Sequence, residues 1–157
     1  DFLMPGSMSS SPLPVAARAN HMPGPAAKAL STANAVTLFS LVPDGFGTYE
    51  DDDNFHGWQV LGRVALTGNQ AEHAAHEFQQ AVDRVKVLGM AMCFEPRHGL
   101  RVVDGGHTFD FVLCYACQQL VVYEDNKQIA HLAAAGPSEN ILNEILVTAH
   151  IPLPRQP

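Results

Sequence analysis

Residues 100–122 read LRVVDGGHTFDFVLCYACQQLVV. In this stretch Asp104-Gly105-Gly106-His107 separates two apolar, β-branched runs, Leu100–Val103 and Thr108–Val122. Paired glycines supply the positive backbone angles that a two-residue hairpin turn needs, so the chain is predicted to fold back on itself there. Pairing outward from Gly105 and Gly106 sets Arg97 opposite Cys114 and His98 opposite Leu113.

Working outward from this hairpin, Asp125-Asn126 marks a second turn before a strand over Gln128–Leu132. Gly136-Pro137 then breaks the chain. Ser138 is placed to cap a final helix that buries Ile141, Leu142, Ile145 and Ala149 and cannot continue past Pro152. Upstream, Met90–Phe94 reads as a short apolar strand. Asn69–Leu88 reads as a helix: Ala71, Ala74, Ala75, Phe78, Ala81, Val82 and Val85 recur at spacings of three and four. Thr67 or Asn69 can cap its start, and Gly89 lies just beyond its end. Trp58–Leu66 and Ala35–Val42 read as strands, the latter stopped by Pro43.

The expected order is β-β-α-β-β-β-β-α. Hairpins outnumber crossovers, so the fold class is α+β: a mostly antiparallel sheet with two helices packed on it. Residues 35–153 are expected to form a single domain. Residues 1–34 are rich in Pro, Ser and Ala and read as a tail or linker, with a late helical turn around Ala26–Leu30. Within that stretch, Gly6-Ser7-Met8 and His21-Met22 match the short joints that cloning leaves.

The chain has 157 residues, 46% of them hydrophobic and 16% charged, with a formal net charge of -7. Such a surface repels phosphates and anionic lipid headgroups, and the nine Lys and Arg are scattered, so no nucleic-acid partner is expected. An acidic surface suits a basic protein partner. No apolar run approaches the roughly 20 residues of a transmembrane segment. The start lacks the basic and apolar regions of a signal peptide, although Asp1 is compatible with a mature chain whose leader is gone.

Cys93, His98, Cys114 and Cys117 follow the spacing C-x4-H-x15-C-x2-C. The hairpin brings all four into one region. Zinc takes four such ligands in a tetrahedron. Residues three apart on a flat strand point to opposite faces, so a shared ligand demands a bulge or turn at Tyr115-Ala116. Three alternatives stand beside zinc, with no cofactor in any of them. A thiol-redox pair Cys114/Cys117 is disfavoured by the absence of a helix start beside it. A cysteine nucleophile with His98 as base needs an orienting group, for which Asp110 and Glu95 are the candidates. Otherwise the cysteines are buried apolar side chains, or Cys93 forms a structural disulfide with Cys114 or Cys117. No complete catalytic set is present, so no catalytic residue is assigned.

His73 and His76 fit neither spacing of the metalloprotease motifs and read as a solvated helix face. Glu50, Asp51, Asp52 and Asp53 lack the ligand spacing of a calcium loop. With Trp58 nearby they form a candidate surface for a basic partner; a single tryptophan is more often core, and the alternative is that Trp58 is the aromatic anchor.

Three segments carry a resemblance: Phe55-His56-Gly57-Trp58-Gln59-Val60-Leu61-Gly62, Cys93-Phe94-Glu95-Pro96-Arg97-His98-Gly99-Leu100-Arg101 and Cys114-Tyr115-Ala116-Cys117-Gln118. Over about Val36–Leu153 the chain resembles a family of uncharacterised bacterial proteins, many exported or lipoprotein-like, in which Phe is usual where this chain has Tyr115. The resemblance implies these domain limits and a periplasmic or cell-envelope location, with the cytoplasm as the alternative. It implies no reaction. The expected function is a small, acidic, non-enzymatic protein-binding module, an inhibitor or toxin-neutralising (immunity-type) protein. The alternatives are a Cys/His zinc-binding domain and a thiol-redox protein.

Overall fold

A computed structural model describes residues 20–89, 92–136 and 139–156. Helix α1 (Gly24–Thr32) precedes β1 (Ala35–Phe46), β2 (Asn54–Phe55), β3 (Trp58–Thr67) and α2 (Gly68–Asp83). The chain then runs through β4 (His98–Asp104), β5 (His107–Cys114), β6 (Gln119–Glu124), β7 (Lys127–Ala133) and α3 (Asn140–Thr148). The strands form one seven-stranded sheet in the order β2-β3-β1-β4-β5-β6-β7. Each neighbouring pair is antiparallel. The α+β class follows directly from this arrangement, with three helices where two were expected.

The register of the central hairpin is the one the turn demands. His98 pairs with Leu113 and Asp104 with His107, while Gly105 and Gly106 both have positive φ. Alternation along the strands then divides the side chains between two faces. On one face Leu38, Leu100, Phe109, Phe111, Leu113, Leu120 and Val122 pack with Phe78 of α2 and Leu142 and Leu146 of α3. On the other, Phe39, Leu41, Phe55, Trp58, Val60 and Val112 form a smaller cluster backed by Phe94 and Tyr123.

Several boundaries differ from expectation. Of the expected tail, residues 1–19 lie outside the described residues, but Gly24–Thr32 is a helix in the main core. Its Ala26, Ala29 and Leu30 are buried, an i, i+3, i+4 stripe, and Pro25 occupies a first-turn position where its missing N–H is harmless. Strand β1 runs through Pro43 because its pairing with β3 is interrupted between Leu41 and Phe46, so no ladder bond is asked of the proline.

Helix α2 stops at Asp83 rather than Leu88. Arg84 turns back to pair with Glu77, and the Ala135 N–H takes the Ala81 carbonyl. Met92–Arg97 carries no strand; Met90 and Ala91, the rest of that expected strand, lie outside the described residues. So does Ser138, the expected cap of the last helix. The expected strand Thr108–Val122 divides into β5 and β6 at Cys114–Gln119.

Candidate functional site

The division of that strand is a tight turn over Tyr115–Gln118, closed by Gln118 N–H to the Tyr115 carbonyl at 3.1 Å, with Gln118 in the left-handed region (φ 58°). It supplies the irregularity the C-x-x-C spacing requires. The two sulfurs, however, bond to each other: Cys114 and Cys117 form a disulfide, and each residue is 2% exposed. The Cys117 N–H donates to the Cys114 sulfur at 3.0 Å. Sulfurs joined in a disulfide are not thiolate ligands. His98 is engaged with Asn143 (Nε2···Oδ1 2.7 Å), and Cys93 is a free, exposed thiol rather than the disulfide partner of either later cysteine, because those two close on each other across the turn. The expected zinc set Cys93, His98, Cys114 and Cys117 is therefore not assembled.

The disulfide turn is anchored to α2. Tyr115 donates its hydroxyl to Glu77, which also accepts two 2.8 Å bonds from Arg84. Burial works to raise the Glu77 carboxyl pKa, but the bonds from Arg84 and Tyr115 hold it below its ordinary value. Burial, with the Glu77 carboxylate adjacent, pushes the Tyr115 phenol upward. Gly136 lets this ring approach the chain closely, since a Cβ there would stand 2.4 Å from it.

Residues 92–97 cross the second face of the sheet as a strap over the disulfide turn. The Gln119 amide donates to the Cys93 carbonyl at 2.9 Å, and the Leu41 N–H donates to the Arg97 carbonyl at 3.0 Å. Between them the Glu95 N–H donates to the Cys117 sulfur at 3.1 Å. Phe94 meets Trp58 and His131 edge-on, with centroids 5.8 and 6.4 Å apart, and His131 Nε2 bonds Gln119 Oε1 at 2.6 Å. Cys93 keeps its thiol in solvent while its own backbone is tied down. A groove of about 510 Å³ opens beside this junction, with Glu95 and Ala116 on one wall and Val42, Leu61 and Leu153 among the apolar residues lining it.

A second polar centre on the same face went unassigned in the sequence. Asp110, 1% exposed, accepts two bonds from Arg101 (2.8 and 2.9 Å) and lies 2.7 Å from His56 Nε2. The His56 ring stacks on Tyr123 at 3.7 Å. Burial alone would raise the Asp110 pKa, yet His56 and Arg101 hold it below the usual carboxylate range. The signal was present: in Phe109-Asp110-Phe111-Val112, an acid at an inward strand position must find a buried cation. Asp110 thus orients His56 rather than His98, and Glu95 touches neither imidazole through a side-chain bond among the contacts described. Phe55 completes the junction by lying across Gly99, where a Cβ would come within 2.5 Å of its ring.

His98 is sealed on the helix face. Its Nδ1 is buried without a partner, and desolvation, only partly opposed by the Asn143 bond, lowers its pKa to about 4. It is neutral at neutral pH.

The acidic segment is exposed as expected, with Asp51–Asp53 in a single 3₁₀ turn and Arg63 donating to the Asp52 carbonyl. Trp58 takes the core reading and not the anchor role. It is 9% exposed, enclosed by Phe46 and Phe94. The exposed aromatic of this corner is Phe46, 68% accessible and resting on Gly57 of the β2–β3 turn. A large aromatic between Gly45 and Gly47 was its sequence signal.

The described residues that converge as metal donors are His107, Glu124 and Asp125, whose donor atoms lie within 4.8 Å of one another at two adjoining hairpin tips. His107 Nδ1 is 2.7 Å from Asp125 and 3.6 Å from Glu124, and the Asp125 hydrogen bond and charge raise its pKa. His73 and His76 line a separate groove of about 760 Å³ between α1 and α2. No helix among the described residues is long and apolar enough to cross a membrane.

No family model matches the chain, and no curated protein or solved structure is similar to it.

Proposed function

We propose that this protein is a small, acidic, non-enzymatic binding module of the bacterial cell envelope that holds a basic protein partner, as an inhibitor or immunity-type protein would. The observation that carries the reading is the segment following β1, in which exposed Phe46, packed on Gly57 and Trp58, is followed four residues later by the exposed acids Glu50, Asp51, Asp52 and Asp53. An exposed aromatic followed closely by exposed acids suits a basic segment bearing an apolar residue. The disulfide supports an oxidising compartment.

The experiment is titration with lysine- and arginine-rich peptides carrying one central Leu or Phe, against the same peptides with Ser in its place. Phe46→Ala should weaken binding about tenfold or more, and neutralising the four acids to Asn/Gln should remove most of its salt dependence. Equal binding by both variants and the parent would overturn the reading.

A metal-binding reading survives in altered form: the donors are His107, Glu124 and Asp125 rather than the cysteines. Zinc should displace the His107 proton, whose pKa is raised by Asp125, so calorimetric zinc binding should strengthen as pH rises and vanish in His107→Ala. Binding unaffected by that substitution excludes the site.

A further inference from the structure

The Cys114–Cys117 disulfide is nearly inaccessible, while the remaining thiol stands in solvent on the strap that touches it. We propose that the three cysteines form a thiol–disulfide relay, in which exposed Cys93 draws the buried disulfide to the surface and delivers it to an external thiol.

Of the two sulfurs, Cys117 faces the strap, for it accepts the Glu95 N–H at 3.1 Å, two residues along the chain from Cys93. Backbone geometry limits the Cys93 Cα to about 6 Å from that nitrogen. A swing of the Cys93 side chain inward from solvent brings it toward the disulfide, and Cys117, the sulfur the strap already touches, is the one assigned as its target. In the first step the Cys93 thiolate attacks Cys117. The Cys93–Cys117 bond forms, the Cys114–Cys117 bond breaks, and Cys114 leaves as a thiolate that takes up the proton Cys93 released. The Cys117 N–H, already 3.0 Å from the Cys114 sulfur, steadies that leaving charge. No oxidant or reductant is consumed.

In the second step an external thiolate attacks the Cys93 sulfur, and Cys117 leaves as the thiolate that the Glu95 N–H is placed to receive. A second external thiol then resolves the mixed disulfide on Cys93. Two external thiols become one disulfide, and the Cys114–Cys117 pair is left reduced. Each leaving sulfur thus has its own amide donor before the reaction starts. The strap's remaining ties, Gln119 to the Cys93 carbonyl and Leu41 to the Arg97 carbonyl, keep the attacking residue over its target. The groove bounded by Glu95 and Ala116 gives an external thiol an approach beside the junction.

The test uses reduced glutathione on the whole chain, with acid quenching and mass mapping of disulfides. Cys93→Ser should slow reduction of Cys114–Cys117 by about tenfold or more, because glutathione must then reach a buried sulfur directly. A glutathione adduct on Cys93 should appear transiently in the parent. Cys114→Ser, in oxidised glutathione, should close a monomeric Cys93–Cys117 disulfide, whereas Cys117→Ser should close none. Equal reduction rates in the parent and a folded Cys93→Ser protein would overturn the relay, as would two alkylatable thiols in a folded Cys114→Ser protein. Should Cys114→Ser fail to fold, the Cys93→Ser rates decide, since that residue is exposed and its loss leaves the core intact.

Discussion

The two faces of the sheet come from the same alternating strands and have little else in common. Three helices cover one face, whose interior is a continuous apolar core interrupted by the neutral imidazole of His98 and, at the edge of α2, by Glu77 paired with Arg84. A six-residue strap, a short β-hairpin and one small aromatic cluster serve the other. That second face holds the buried Asp110 centre, the disulfide turn and the free thiol. Phe55-His56-Gly57-Trp58, the Cys93–Arg101 segment and Cys114-Tyr115-Ala116-Cys117 all meet there. The difference teaches that stability and chemistry are divided by side-chain parity. A helical layer buries much apolar area, while a strap buries little but places backbone amides against sulfur.

The largest test of this division uses adjacent residues that point to opposite faces. Phe111→Ala, in the helix-covered core against Phe78, should cost about 3–5 kcal/mol in urea unfolding. Val112→Ala, one residue on and facing the strap, should cost about 2 kcal/mol. Equal losses would erase the distinction.

Acid should probe the helix face next. His98 is held neutral with a folded pKa of about 4, below its unfolded value of 6.5. The unfolded chain therefore binds more protons between those values. Stability is full above 6.5 and falls as pH drops toward 4, by roughly 3 kcal/mol. Glu77 and Asp110, both lowered, add further loss at still lower pH as each is protonated through its folded pKa. His98→Gln should flatten the curve between 6.5 and 4 and leave the lower limb in place. Urea midpoints measured across that range would show it.

The smallest effect should come from the strap face. Reducing Cys114–Cys117 opens a loop of four residues only, so the loop-closure contribution is about 2 kcal/mol. Full reduction should lower the urea midpoint modestly while the far-ultraviolet circular dichroism is retained. Loss of the folded state on reduction would mean that the turn, rather than the helical layer, holds the domain together.

Much of the helix-covered face was legible in the sequence. Periodicities of three and four located α2, and Gly105-Gly106 set the β4–β5 register that the structure shows. Less of the second face was legible. Pro43 looked like a stop because the interrupted pairing that tolerates it depends on β3. Cys114–Gln119 looked like strand because it lies in an apolar run, and no residue within it announces a turn. Trp58 stayed open between core and anchor because Phe46 and Phe94, which enclose it, come from distant segments. The four Cys/His residues did gather around one hairpin, but strand parity sent His98 to one face and the disulfide turn to the other.

What the sequence determined by itself was therefore local: turn chemistry, the apolar stripe of α2, net charge, and the pairing of His98 with Leu113. Turn chemistry and the helical stripe depend on backbone angles and spacing within a few residues, the His98–Leu113 pairing follows by counting outward from the turn, and net charge is composition alone. Tertiary structure decided which sulfurs joined, which aromatic stayed in solvent, that Asp110 found Arg101 and His56, and that Ala26, Ala29 and Leu30 belong to the core. Each of those depends on segments brought together by the closing of the whole sheet, where burial sets the cost of leaving a charge unpaired or an apolar side chain exposed.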